Sequence, residues 1–226
     1  MASDALHGQT LDWSRVASLV AHELRAPAGV ISGYLSMMKD PAFPAPERAR
    51  ALAQIERATS RVTVLARQAS ELGHWLAPEG VPSERTTVDA WVDRTLQSQD
   101  IKTPVDVDIT PEIGSLELVV YSAEALAHAL ASLIAATARE TGDEPLVVEI
   151  RAPDADTLSV RIGPPPDGAS AADRSSETHE PVSIQRGGLG LSLVLAITVL
   201  TAHRASIWEA SRRQVVGFEL PTKAEK

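Results

Sequence analysis

A chain of 226 residues suffices for one or two domains with a buried core; this one has no cysteine and a formal net charge of -9. The missing thiols exclude disulfides and thiolate metal sites, and the acidic balance argues against DNA or RNA as a partner. Residues 1–80 hold eight Lys/Arg and eight Asp/Glu, so the whole excess falls on residues 81–226, which hold thirteen and twenty-two.

The first predicted helix covers residues 11–39, with Pro27 as the place for a kink because it lacks a backbone donor. Its apolar residues Val20, Leu24, Pro27, Ile31, Tyr34 and Met38 recur at spacings of four and three, the seam of a helix that packs on others. His22 lies two residues from both Val20 and Leu24, so at roughly 100° per residue it stands about 200° around the helix from each. It is therefore expected to face solvent on a helix that its seam pins. A neutral, reachable imidazole can accept a phosphoryl group, and Glu23 beside it can fix the ring tautomer through the far nitrogen.

Residues 40–46, with three prolines, form a turn, and a second helix is predicted over residues 47–75. Leu52, Ile55, Val62, Leu65, Ala69, Leu72 and Leu76 form its seam, with Ala58 and Thr59 filling the weak step. Two such helices make an antiparallel hairpin whose sticky face is covered economically by a second copy, giving a four-helix bundle and a homodimer; packing against the chain's own second domain is the alternative. Residues 77–82 read as a linker, dividing the chain into domains 1–80 and 81–226. Beyond it come a helix over 88–97, strands over 105–109 and 116–120, a strong helix over 123–139, and strands over 146–150 and 158–162. Residues 164–178, rich in Pro, Ala, Ser and Asp, read as a mobile loop. A helix over 189–202 and strands over 206–210 and 215–220 close the chain, so the fold class is α+β: a helical hairpin followed by an α/β sandwich. No stretch is apolar over some eighteen residues, and residues 1–13 lack a basic segment followed by an apolar core. A cytoplasmic protein without a membrane span is expected.

His22-Glu23-Leu24-Arg25-Ala26-Pro27, followed by Gly29-Val30-Ile31 and Gly33-Tyr34, resembles the H-box of bacterial sensor histidine kinases. The element order after residue 81 is similar to their catalytic domain, of the GHKL or Bergerat type. The resemblance implies that His22 is the phosphorylated residue, with Glu23 and Arg25 as its catalytic neighbours. It also locates the parts of a nucleotide site. The family's asparagine-rich helix falls on residues 131–139, where Ser132 and Ala136 stand at the asparagine positions, Ala136 at the one that holds magnesium. A methyl group cannot ligate a hard cation, so no metal site is expected in this chain. Arg139 keeps the family's basic position, while His128 and Glu124 nearby are expected to be structural or solvated. The adenine-binding aspartate falls on Ile162 or Gly163, and Pro164, Pro165 and Pro166 occupy the glycine loop after it. The later glycine motif is kept in Gly187-Gly188-Leu189-Gly190, whose Gly188 and Gly190 would offer amides to phosphates. Ala202-His203-Arg204-Ala205-Ser206-Ile207-Trp208 is similar to the family's turn into the last hairpin.

Residues Arg139, Gly188 and Gly190 thus mark a degenerate nucleotide site, and ATP binding is disfavoured. Ala26 stands where many relatives place a Thr or Asn that orients hydrolytic water, which disfavours aspartyl-phosphatase activity. The reading favoured by these residues is a histidine phosphotransferase, similar to the intermediate phosphotransferases of phosphorelays. Its partners would be itself, response-regulator receiver domains that bring their own Mg2+, and an upstream hybrid kinase. Two alternatives remain at this level. One is a divergent kinase that still binds ATP, with Glu23 assisting proton removal from His22. The other is a non-enzymatic scaffold that gates a partner kinase or regulator.

Overall fold

The computed structural model describes residues 13–142, 144–165, 179–210 and 214–223. They fall into two compact units, the helices up to His74 and the chain from Trp75 onward. Among the described residues no helix is long and apolar enough to cross a membrane.

The first unit is the hairpin. Helix α1 (Trp13–Met38) runs as one element through Pro27, which it buries, and α2 (Ala45–Leu76) follows. Between them Asp40 holds the turn, accepting the Ala42 N–H on its side chain at 2.8 Å. Along α1 the expected seam is kept: Val16 is buried and Val20, Leu24, Ile31, Tyr34 and Met38 are half-buried. On α2 the seam differs from the expected one by a residue at its start. Ala51, Ala58, Leu65 and Leu72 are buried at strict seven-residue intervals, whereas Leu52 is 49% and Leu76 45% exposed. Small alanines bring the helices close where hydrophobicity alone would have chosen the leucine.

The second unit is the sandwich. Strand β1 (Glu84–Thr87) pairs antiparallel with β3 (Glu117–Val120) in a small separate sheet. Between them lie α3 (Val88–Leu96), β2 (Val105–Asp108) and the short α4 (Pro111–Gly114). Thr87 caps α3 by accepting the Ala90 N–H at 3.2 Å. Helix α5 (Ala123–Glu140) is capped by Ser122, which accepts the Ala125 N–H at 3.2 Å. Then come β4 (Leu146–Arg151), β5 (Thr157–Gly163), β6 (His179–Glu180), α6 (Leu191–Ala202), β7 (Ser206–Ala210) and β8 (Val216–Pro221). The main sheet has the order β2-β4-β5-β8-β7-β6, with β2 and β4 parallel and the other pairs antiparallel.

Alternation along the strands turns Val148, Ile150, Val160, Ile162, Phe218 and Leu220 to one face, all under 2% exposed. They form one core with Leu126, Leu130 and Leu133 of α5 and Leu193 and Ile197 of α6. The architecture is the expected α+β one. Three elements were absent from the sequence reading: β1, α4 and β6, the last adding a sixth strand at the sheet edge. Helix α6 begins at Leu191 rather than 189, because a 3-10 turn over Arg186–Gly188 precedes it. The loop expected to be mobile lies, from residue 166 to 178, outside the described residues.

Candidate functional site

His22 is exposed on α1, with Arg25 also exposed one turn further along. Among the described residues the imidazole makes no hydrogen bond. Glu23 takes a different course from the one its sequence position suggested. It is turned across the hairpin, where its Oε2 accepts from Arg61 Nη2 of α2 at 2.8 Å. The Glu23 side chain is 17% exposed and that of Arg61 50%. Residues 23 and 61 are equidistant in sequence from Ala42 in the turn, as antiparallel pairing of two regular helices requires. Sequence reasoning missed Arg61 because only that hairpin register brings it to Glu23.

Of the residues mapped to a nucleotide site, Arg139 and Gly188 come together in the second unit, at the turn through Gly187. Gly187 has φ 59° and its N–H donates to Glu140 Oε1 at 2.7 Å. Its carbonyl accepts from Arg139 Nη1 at 3.1 Å, and the Gly188 carbonyl from the same nitrogen at 3.5 Å. The Gly188 N–H donates to the Gln185 carbonyl at 3.1 Å. Arg139, the one cation retained at the family's basic position, therefore binds the turn itself. The turn also lies directly on α5. A Cβ added at Gly187 would stand 2.6 Å from the Cα of Ala136, so Gly187 leaves no room for a side chain against the α5 backbone. Ala136 is fully buried there.

Beneath the turn is a buried ion pair that the sequence did not announce. Arg186 is wholly buried, with Nη1 3.3 Å from Glu209 Oε2 on β7, itself nearly buried. Its Nη2 donates to Thr137 Oγ1 on α5 at 3.2 Å, and that hydroxyl donates to the Leu133 carbonyl at 2.8 Å. A guanidinium matches this use, since its planar fork reaches a carboxylate and a hydroxyl at once. Arg186 thus joins the turn to both the helix layer and the sheet.

The positions where the resemblance would set the adenine contact are packed. Ile162 is fully buried in the core, and a Cβ at Gly163 would lie 2.9 Å from Val215 Cγ2. The cavity that Ser132, Arg139, Leu189 and Ser192 share with Lys102 and Ala135 measures about 150 Å³. Pockets that bury a drug-sized ligand hold about 300–1,000 Å³. His128 and Glu124 are exposed and line an open polar groove between α3 and α5. Among the described residues no three His, Asp or Glu side chains gather as a metal site.

At the end of α2, Trp75 packs on His203 and Tyr121, with ring centroids 5.7 and 6.3 Å away. His203 Nδ1 donates to the Val199 carbonyl at 2.7 Å and Nε2 accepts the Tyr121 N–H at 3.1 Å, so the ring is a neutral, fixed tautomer. Burial lowers its pKa below the usual 6.5, opposed by the Val199 hydrogen bond.

No family model matches the chain, and no curated protein matches it. Solved structures do. The Acinetobacter baumannii histidine kinase AdeS aligns over 91% of this chain and 98% of its own, at 16% identity and a TM-score of 0.62. Full-length ShkA, solved in complex with AMPPNP, aligns over 94% of this chain and 47% of its own, at 13% identity and a TM-score of 0.50. The fold is therefore that of a histidine kinase core, a helical hairpin followed by a mixed-sheet α/β domain.

Proposed function

We propose that this chain is a histidine phosphotransferase of two-component signalling, with His22 exchanging phosphoryl groups with the aspartate of response-regulator receiver domains. The unprotonated ring nitrogen attacks phosphorus, the P–O bond to the aspartate breaks, and the carboxylate leaves with the bonding electrons. The receiver supplies its own Mg2+ and acidic pocket, so this chain contributes position and charge. Arg25, one turn from His22, is placed to hold a phosphoryl oxygen. The hairpin works as a homodimer, because Val30, Leu35, Met37 and Leu52 are 39–50% exposed on an isolated copy. An upstream hybrid kinase would load the relay.

The observation that carries this reading over an ATP-dependent kinase is the glycine turn bonded to Arg139 and Glu140 and seated on Ala136. The Gly187 and Gly188 N–H and C=O groups are bonded within the chain, and the Gly188 amide is one that the resemblance would offer to a phosphate. The test mixes the protein with receiver domains charged by labelled acetyl phosphate. Acid-labile label should appear on the wild type and vanish in His22→Ala with dimerisation unchanged. Undiminished label on the variant would refute the assignment.

A further inference from the structure

Glu23 is the one carboxylate of α1, whose cations are Arg15 and Arg25. At 3.6 residues per turn, Arg15, Ser18, Arg25, Ala26 and Gly29 share a face with His22, and none of them is acidic. Glu23 adjoins that face, with its Cα about 3.8 Å from that of His22. A phosphoryl group arriving at His22 carries up to two negative charges and would meet this carboxylate at close range. In the structure Glu23 is held on Arg61, whose guanidinium has five N–H donors and stays half in solvent. Attack on a phospho-aspartate goes through the lone pair of a neutral imidazole and needs no base at that nitrogen.

We propose that Arg61 is a positioning residue for the His22 reaction: it neutralises Glu23 across the hairpin and keeps α1's single negative charge off the phosphoryl path. The proposal rests on His22 as phosphoacceptor. It assigns Glu23 the part of a masked charge rather than a base. The pair is partly exposed and adds little to folding, so removing it leaves the seams of Ala51, Ala58, Leu65 and Leu72 to hold the hairpin.

The experiment measures transfer from receiver domains charged by labelled acetyl phosphate to the full chain, at low and high salt, with helix content followed by circular dichroism. Arg61→Ala should lower kcat/KM about tenfold at low ionic strength, and the deficit should shrink in high salt as screening weakens the exposed carboxylate. Arg61→Lys should keep most of the rate. Adding Glu23→Gln to Arg61→Ala should restore the rate to within about threefold of wild type, which a merely structural role for Arg61 would not produce. Arg61→Ala without effect, or a double variant as slow as Arg61→Ala, overturns the proposal while leaving the phosphoacceptor reading standing. Transfer to wild type that persists in His22→Ala overturns the phosphoacceptor reading itself.

Discussion

The two ends of this chain treat their polar groups in opposite ways. On the hairpin, His22 faces solvent with no hydrogen bond among the described residues, on a helix fixed by buried residues on its other side. In the sandwich, Gly187 and Gly188 have their amides and carbonyls bonded by Glu140, Arg139 and Gln185, and Arg186 is buried beneath them. A group left unbonded on a rigid support is free to act on a partner. A group bonded within the chain would have to lose that bond first. We read this contrast as one chemical station kept and the other closed within the same fold.

The hairpin half breaks most severely at Leu65, which is 1% exposed. Leu65→Asp would bury an unpaired charge at a cost of several kcal/mol. The expected result is loss of the α1 and α2 signal in circular dichroism and of the dimer in sedimentation, with the sandwich still folded. On the sandwich side, Arg186→Met leaves Glu209 buried without its cation and should cost about 3–5 kcal/mol in urea unfolding. Adding Glu209→Leu should recover most of that loss, because the apolar pair needs no desolvation of charge.

A smaller effect follows from His203. Its folded pKa is lowered, so the unfolded chain takes up the proton first as pH falls. Stability should be full above about pH 6.5 and decline as pH falls from there toward the lowered folded value. Protonation would also set an N–H on Nε2 against the Tyr121 N–H. Glu112 and Asp154 are both lowered mainly by backbone hydrogen bonds, and their contribution is lost only further into acid. Urea midpoints at pH 7.5 and 5.5 should therefore differ in wild type and converge in His203→Gln. The smallest expected effect is in Ala136→Asn. Calorimetry should find no Mg-ATP binding tighter than roughly 1 mM, about 4 kcal/mol, in either form. Restoring an oxygen donor does not lift Gly187 off the helix at that position.

What the sequence displayed and what it hid follow one physical line. The spacing of Val20, Leu24, Ile31 and Tyr34 marks a helix face over many turns, so the seam of α1 and the outward place of His22 were legible. The start of the α2 seam was misread because Ala51 is chosen for small size, which periodicity of large apolar residues does not register; Ala58 was read into the seam and is buried. Strand β1, Glu-Arg-Thr-Thr, buries only Thr86, and β6 has two residues, so neither carries an alternating apolar signal. Departures from the resembled nucleotide motifs were visible at Ala136 and at Ile162 or Gly163. Their replacements were not. Arg186 and Glu209 are charged residues in and beyond a loop, where exposure is the default, and only the folded sheet brings them within 3.3 Å. Arg61 meets Glu23 across 38 residues of hairpin, a pairing set by where the turn falls.

The account stands or falls on where His22 obtains its phosphate. Equal samples of the full chain would be incubated in parallel with γ-labelled Mg-ATP and with receiver domains charged by labelled acetyl phosphate, and acid-labile label on His22 counted. The account predicts label from a charged receiver and none from Mg-ATP. Label from Mg-ATP alone, with every receiver inert, would contradict it and make the chain a kinase whose glycine turn opens to admit nucleotide.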